Sequence, residues 1–541
     1  MKAVTRAEQA GLVAITALLL LPLRGLLRNQ GPPMEEGFML VFPERLLNGD
    51  LPNRDYLHLY GPGSVWVLAV LYEVFGVELH VQRLAGYAQQ IGVVLGVFAV
   101  ARPFGPVLAT AGAVIALIII VPPIGLTALA WVGAVALALW ALRLGLQAVV
   151  AHRDGDDGAA GRRILIAGLL AAAALLYRPD VIVAVALAGL VVGRRLDPAL
   201  RRRGLVALAA GLTPYLLHLG LAGPGNVVHG MLIEPVFELR GGRRLPLPPS
   251  WDQFDGFLQR AGALHEPPWP FPAPPGPAQL TIWLVLLLAS MAALIVTGRR
   301  WVRDEPTSPA ALALLGTGAL AVGLLPQALQ RTDTTHLAWV SCVPFGFLPA
   351  LAGRGLRGRP RAPLLAAAAA LAIPFFLVPH FTFRSYGDYA AQTFGRHRLA
   401  FPIEHEGRLF YYGRPDVADA AHALLADVER LTEPGDRMLV GSGDLRFTPY
   451  SDAYLYYLLP DRPPATRYIE MDPGVANGPD SGLAEEVAAA DLVVLSRVWD
   501  DWDEPNDSRV AGPDEPNQVL RDRFCEAGDY GGLYVLYLRC G

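Results

Sequence analysis

Lysine is almost missing from this sequence: Lys2 is the one lysine in 541 residues, so the positive charge is carried by arginine. Charge of either sign is scarce, at 17% of residues, while 53% are hydrophobic and the mean hydropathy is +0.35. A soluble enzyme of this length is excluded by that balance, and the chain belongs in a bilayer. Cysteine is also sparse, with Cys342 inside an apolar run and Cys525 and Cys540 near the C-terminal end. Three cysteines supply neither a disulfide framework nor a zinc-ligand spacing. Cys525 and Cys540 pair if their segment lies in an oxidising compartment and otherwise remain two thiols. A net charge of −4 gives no reason to expect a nucleic-acid partner. The C-terminal stretch 381–541 has no GxGxxG and no P-loop pattern, which argues against a sugar nucleotide as donor. Fixed-period repeats and inverted symmetry between halves are missing too, which weakens a transporter reading.

What the sequence does have is a series of apolar runs. A span needs roughly 20 apolar residues. Candidates fall at 9–27, 82–101, 106–121, 125–149, 164–177, 181–193, 204–222, 279–297, 309–327, 336–353 and 363–380. The expected class is a polytopic α-helical membrane protein of about 11–12 spans with a C-terminal soluble α/β domain. The first run follows Lys2 and Arg6 and has no small-residue cleavage site, so it reads as a retained helix and not a signal peptide. The linkers RRLDPALRRR (194–203), GRRWVR (298–303) and GRGLRGRPR (353–361), with the pair at 162–163, are strongly basic and therefore cytoplasmic by the positive-inside rule. That puts the N-terminus inside. It sends the first loop (28–60), the turn at 178–180, the large loop (223–278), the RTDTTH segment and the tail (381–541) to the outer side. The run GPGSVWVLAVLYEVFG (61–76) breaks this parity and is expected to be re-entrant or interfacial. In the tail, the helical stretch DVADAAHALLADVERL alternates with the strand-like runs RMLVGSG, DLVVLSR and GLYVLYLRC, which suggests a mainly parallel sheet.

Chemistry-bearing residues gather on that outer side. Glu35 and Glu36 stand just after the first span, where partial desolvation raises a carboxyl pKa and fits it to act as a general base. The plainer alternative is a solvated acidic loop. Arg178 and Asp180, in Tyr177-Arg178-Pro179-Asp180, sit at a membrane edge, where an arginine needs a partner or a ligand; a helix-breaking turn closed by its own ion pair is the other reading. Arg331, Asp333 and His336, in RTDTTH, offer a cation, a carboxylate and an imidazole, and Asp333 is equally a natural helix N-cap. In the large loop, Arg240, Arg243 and Arg244 are placed to approach a lipid phosphate, and HEPPWPFPAPPG has an interfacial composition; a proline-rich connector fits as well. The isolated His58, His218 and His229 read as satisfied polar residues, and no metal site is assigned.

The stretch MEEGFMLVFPERLLNGDLPNRDYLHLYGPG followed by VLAVLYEVFG resembles the first outer loop of GT-C fold membrane glycosyltransferases, notably bacterial relatives of the protein O-mannosyltransferases and of the lipid A aminoarabinose transferase. The resemblance is good over 30–77, fair to about 380 and weak in the tail, where YSDAYLYYLLPDRPPATRY is the one familiar phrase. It implies a GT-C catalytic domain over 1–380 that transfers sugar, with inversion, from a polyprenyl-phosphate donor to a glycan, lipid or protein acceptor. It also implies Glu35 or Glu36 as base and Arg178 as a ligand of the donor phosphate, while Arg331, Arg243 and Arg244 are phosphate-binding candidates by their own position. The family often carries a second acid near 122–127, where this chain has PPIGLT, so a divalent cation finds no support in the sequence. A non-catalytic scaffold or a lipid-linked glycan transporter is the rival expectation.

Overall fold

The computed structural model describes residues 5–250, 276–356, 361–377, 385–396, 400–502 and 504–540, without the side chains of 122–124 and 374–377. The expectations for 251–275 and 357–360, including nearly all of HEPPWPFPAPPG and part of the basic linker at 353–361, fall outside the described residues.

Leucine and alanine runs satisfy every backbone group internally only as helices, so the membrane part is a helical bundle. It begins with α1 (Arg6–Leu20), continued by α2 (Leu23–Arg28), and then the outer helix α3 (Pro33–Leu47) and α4 (Gly63–Phe75). Next come α5 (Leu79–Ala101), α6 (Pro106–Ile124), α7 (Ala130–Arg153), α8 (Asp157–Tyr177) and α9 (Ile182–Gly193). The pair α10 (Pro198–Gly211) and α11 (Thr213–Ala222) leads into the large loop. That loop forms α12 (Pro224–Val228), a π-helical stretch (His229–Glu238) and α13 (Leu239–Gly242). The bundle resumes with α14 (Gly276–Asp304), α15 (Pro309–Gln330), α16 (Thr334–Phe345), α17 (Leu348–Gly355) and α18 (Ala362–Leu377). Aspartates cap three of these starts: Asp156, Asp197 and Asp333 each accept a backbone N–H of the first turn.

Among the described residues seven helices are long and apolar enough to cross a membrane, with the bent pair α16–α17 as an eighth, and four shorter apolar helices accompany them. The protein is a multi-pass membrane protein. Helices α10 and α11 turn Leu205, Val206, Leu216 and Leu217 outward, each more than half exposed, as a lipid-facing surface requires. Helix α4 has 13 residues and spans about 20 Å, short of the roughly 30 Å hydrocarbon core. Its Tyr72 hydroxyl donates to the Met39 carbonyl at 3.0 Å, while Val67, Val70, Val74 and Phe75 face outward.

The tail starts with α19 (Ser385–Thr393), which packs on α2 through a Gly25 N–H to Thr393 Oγ1 bond of 3.0 Å. A hairpin of β1 (Phe401–His405) and β2 (Arg408–Tyr412) and the amphipathic α20 (Pro415–Leu431) follow. Then come β3 (Met438–Ser442), α21 (Tyr454–Leu458), α22 (Leu483–Ala489), β4 (Leu492–Ser496), α23 (Glu515–Arg523), β5 (Phe524–Tyr530) and β6 (Tyr534–Arg539). The four-stranded sheet has the order β3-β4-β6-β5. The expectation of a mainly parallel sheet is corrected here, since β3–β4 is parallel but β4–β6 and β5–β6 are antiparallel. Gly531 and Gly532, both at positive φ, give a short turn after β5, and a short turn can return the chain only antiparallel. Cys525 and Cys540 are joined as a disulfide that staples β5 to the end of β6.

The two parts are knit together at the first outer loop. Arg408 of the hairpin forks onto Glu44 of α3, and the Leu57 N–H donates to the Arg467 carbonyl at 3.0 Å. Between them lies the site.

Candidate active site

A cavity of about 360 Å³ opens where one end of the bundle meets the tail. Its walls combine the start of α3, the α8–α9 turn, the large loop, the α15–α16 turn and two tail segments, 448–450 and 470–508. The sequence-predicted Glu35, Arg178, Asp180, Arg243, Arg331, Asp333 and His336 all line it, as does Arg240. Glu36 and Arg244 do not.

The two glutamates part because consecutive helical residues point about 100° apart. Glu36 is fully buried on the bundle side, where Arg83 of α5 grips it in a fork, Nε to Oε1 at 2.8 Å and Nη2 to Oε2 at 2.7 Å. Arg83 also donates from Nη1 to the Leu27 carbonyl at 2.7 Å, tying α2, α3 and α5 at one point. Glu35 points into the cavity and accepts a hydrogen bond from the Tyr450 hydroxyl. Burial pushes its carboxyl up to about 7, against the opposing hydrogen bond from Tyr450.

The arginines are held differently from one another. Arg178 bridges Asp180, with Nη2 to Oδ2 at 2.7 Å, and its guanidinium lies over the rings of Tyr60 (4.4 Å) and Trp131 (5.2 Å). The ion pair closes the turn as the second of the two expected readings has it, and the turn stands at the cavity wall. Arg331 donates to Glu504 at 2.5 Å and to Asp333 at 3.2 Å. Asp333 caps α16 through the His336 N–H and also accepts from His336 Nδ1 at 2.8 Å. Burial opposes its charge, but His336 and Arg331 outweigh that and hold the carboxyl below its ordinary range. Arg243 is paired with Glu470 and Asp472 of the tail. Arg240 is exposed at the cavity and has no salt bridge among the described residues. Arg244 is exposed and does not line this space.

Of the isolated histidines, His218 Nε2 meets Asn53 Oδ1 at 2.9 Å, His58 is buried near the Gly61 carbonyl, and the half-exposed His229 lies 3.7 Å from Glu234. In the turn at 122–127, the Gly125 carbonyl accepts from Gln90 Nε2. Among the described residues no group of three His, Cys, Asp or Glu side chains has metal-holding geometry.

Sequence reasoning gave no site role to Tyr450, Glu470 or Glu504: the two acids lie more than a hundred residues beyond the arginines they pair with, and Tyr450 more than four hundred beyond Glu35. No local spacing marks them. An acid that ends up opposite an arginine through tertiary contact looks in sequence like any solvated acid.

No family model matches the sequence, and no curated protein does. Solved structures do. ArnT from Cupriavidus metallidurans, a lipid A aminoarabinose transferase, aligns in its apo state at TM-score 0.52 and 16% identity over 98% of both chains. Bound to undecaprenyl phosphate, ArnT aligns at 0.50 and 16% over 97% of both. The Archaeoglobus fulgidus oligosaccharyltransferase complexed with Zn and sulfate aligns at 0.46 and 13%, over 89% of this chain and 67% of that one. The likeness to ArnT is one of fold: this chain has the GT-C architecture expected from its first outer loop.

Proposed function

We propose that this protein is a membrane glycosyltransferase that moves a sugar from a polyprenyl-phosphate donor to a hydroxyl of a glycan, lipid or protein acceptor at the outer face of the cytoplasmic membrane. The observation that carries the reading is Glu35, a carboxyl poised at about 7 in a cavity whose other walls bear Arg178, Arg240, Arg243 and Arg331. A base must be deprotonated at working pH and still basic enough to take a hydroxyl proton, and a carboxylate near neutrality meets both needs. Both oxygens of Glu36 are held by Arg83, so the role falls to Glu35.

The acceptor oxygen attacks the anomeric carbon while its proton passes to Glu35. The bond from that carbon to the lipid phosphate breaks, and its electron pair leaves on the phosphate. One displacement inverts the centre. The phosphate is a weak base and needs cations more than a proton, and the planar forks of Arg178, Arg243 and Arg331 match its oxygens. Arg240, exposed at the cavity and without a salt bridge among the described residues, makes the first contact. The fold shared with a transferase solved with undecaprenyl phosphate supports this donor class.

Residues 1–380 form the catalytic membrane part and 381–541 an exported domain. The basic pair at 162–163 lies near the start of α8 and Arg178 just beyond its end, about 25 Å apart along the helix, so the cavity opens opposite the arginine-rich linkers. The N-terminus is then cytoplasmic, and the Cys525–Cys540 disulfide sits in an oxidising compartment.

The test is transfer of radiolabelled sugar from polyprenyl-phosphate donors by membranes containing the wild-type chain, Glu35→Gln or Arg178→Ala at matched abundance. Transfer by the wild type and its collapse in Glu35→Gln are expected. Full transfer by Glu35→Gln would end the base assignment, and no transfer from any such donor would end the donor class.

A further inference from the structure

The tail phrase YSDAYLYYL (450–458) is not explained by donor binding, yet it packs closely on α3. A Cβ placed on Gly37 would collide with the backbone of Ala453 and Tyr454, so the tail chain touches α3 at a spot where only glycine leaves room. Asp452, fully buried, fastens the same segment to the tail. It accepts from Ser496 Oγ at 2.6 Å, Trp499 Nε1 at 3.0 Å and the Tyr534 hydroxyl at 3.2 Å. The ring of Tyr450 packs on Trp499, 4.4 Å between centroids, and on Trp502 at 6.0 Å. A phenol locked in this way has its hydroxyl aimed by the tail, and that hydroxyl donates to Glu35 Oε2.

We propose that Tyr450 is a positioning residue for the transfer reaction: its hydrogen bond occupies one oxygen of Glu35 and turns the other toward the acceptor hydroxyl, so that the exported domain completes the catalytic base. The inference rests on the proposed function. In the reaction the acceptor proton moves to Glu35 Oε1 while Oε2 keeps the Tyr450 hydrogen bond, and the charge changes remain those of the displacement itself. The other charged groups facing Glu35 are Glu470 of the tail, which opposes its ionisation, and Arg243 of the large loop, which favours it. Neither is fixed to a Glu35 oxygen by a hydrogen bond. Donation from Tyr450 favours the ionised carboxylate, so its loss lets burial push the carboxyl higher.

Two readouts on the full-length protein test this. The first is carbodiimide labelling of Glu35 as a function of pH, read by tandem mass spectrometry, which needs no turnover. The second is the pH profile of transfer. Tyr450→Phe, which removes one hydroxyl and keeps the ring packing, is expected to move the labelling midpoint upward by about one pH unit. The acid limb of kcat moves with it, KM for the donor stays the same, and kcat recovers at high pH. Gly37→Ala, which forces the 453–454 backbone off α3 without touching Tyr450, shifts both in the same direction. An unmoved labelling midpoint in Tyr450→Phe overturns the proposal and leaves the transferase reading intact. A shifted midpoint in a protein that transfers no sugar overturns the transferase reading, and the positioning role falls with it.

Discussion

The membrane half of the cavity brings cations and the tail half brings carboxylates. Arg178, Arg240, Arg243 and Arg331 all come from bundle turns and the large loop, whereas Glu470, Asp472 and Glu504 come from the tail and pair with Arg243 and Arg331. Among the described residues, the one carboxylate the bundle turns into this space without an arginine partner is Glu35, and there the tail supplies Tyr450 instead of an acid. The contrast shows how one interface can set opposite electrostatic conditions a few residues apart. An acid from the tail quiets an arginine, and a neutral phenol leaves a carboxylate near its working pKa. Within α3 the same lesson repeats, since Glu36 is neutralised by Arg83 in the bundle while its neighbour stays available.

The comparison breaks most sharply if Glu35 and Glu36 are interchanged in role. Glu35→Gln is expected to lower kcat for sugar transfer by about 10³-fold with little change in thermal stability at acid pH. Glu36→Gln leaves the buried Arg83 uncompensated and costs about 3–5 kcal/mol, read as a fall in unfolding temperature and in membrane abundance. The reverse pattern would place the base on Glu36. A third effect follows from linkage. The folded-state carboxyl of Glu35 stands at about 7, above its ordinary 4.5, so its contribution to stability is complete below about 4.5 and is lost as pH rises through 7. Glu35→Gln therefore gains about 3 kcal/mol over the wild type at pH 8 and nothing at pH 4, measurable by thermal unfolding in detergent. The smallest effect concerns Arg240, which has no salt bridge among the described residues. Arg240→Ala is expected to raise the KM for a polyprenyl-phosphate donor about tenfold with kcat held, and a fall in kcat at constant KM would move Arg240 from binding to chemistry.

Much of the bundle was legible because lipid imposes a simple code: apolar runs mark helices and arginine clusters mark one side. The short α4 is apolar as its run required, and at 13 residues it falls below the length of a full span. The sheet was less legible. RMLVGSG and DLVVLSR do pair in parallel, but β5 reads EAGDY with charges on its exposed face, and nothing in that composition says it will return beside β6. The site divided along the same line. Residues flanking a span announced themselves, because a charge at a membrane edge needs a reason to be there. Tyr450, Glu470 and Glu504 lie in a water-exposed domain where acids and tyrosines are ordinary.

By itself the sequence determined that this chain crosses a membrane many times, and it set the expectation that basic linkers and the acid- and arginine-bearing loops lie on opposite sides. These follow from the free energy of moving each residue type between water and lipid, which is a property of local composition. Only the tertiary structure decided which of two adjacent glutamates faces the cavity, which arginines are already paired, and that a tyrosine over four hundred residues away reaches Glu35. Those depend on helix phase and on contacts between distant segments, and a burial or a hydrogen bond of that kind exists only once the chain has folded.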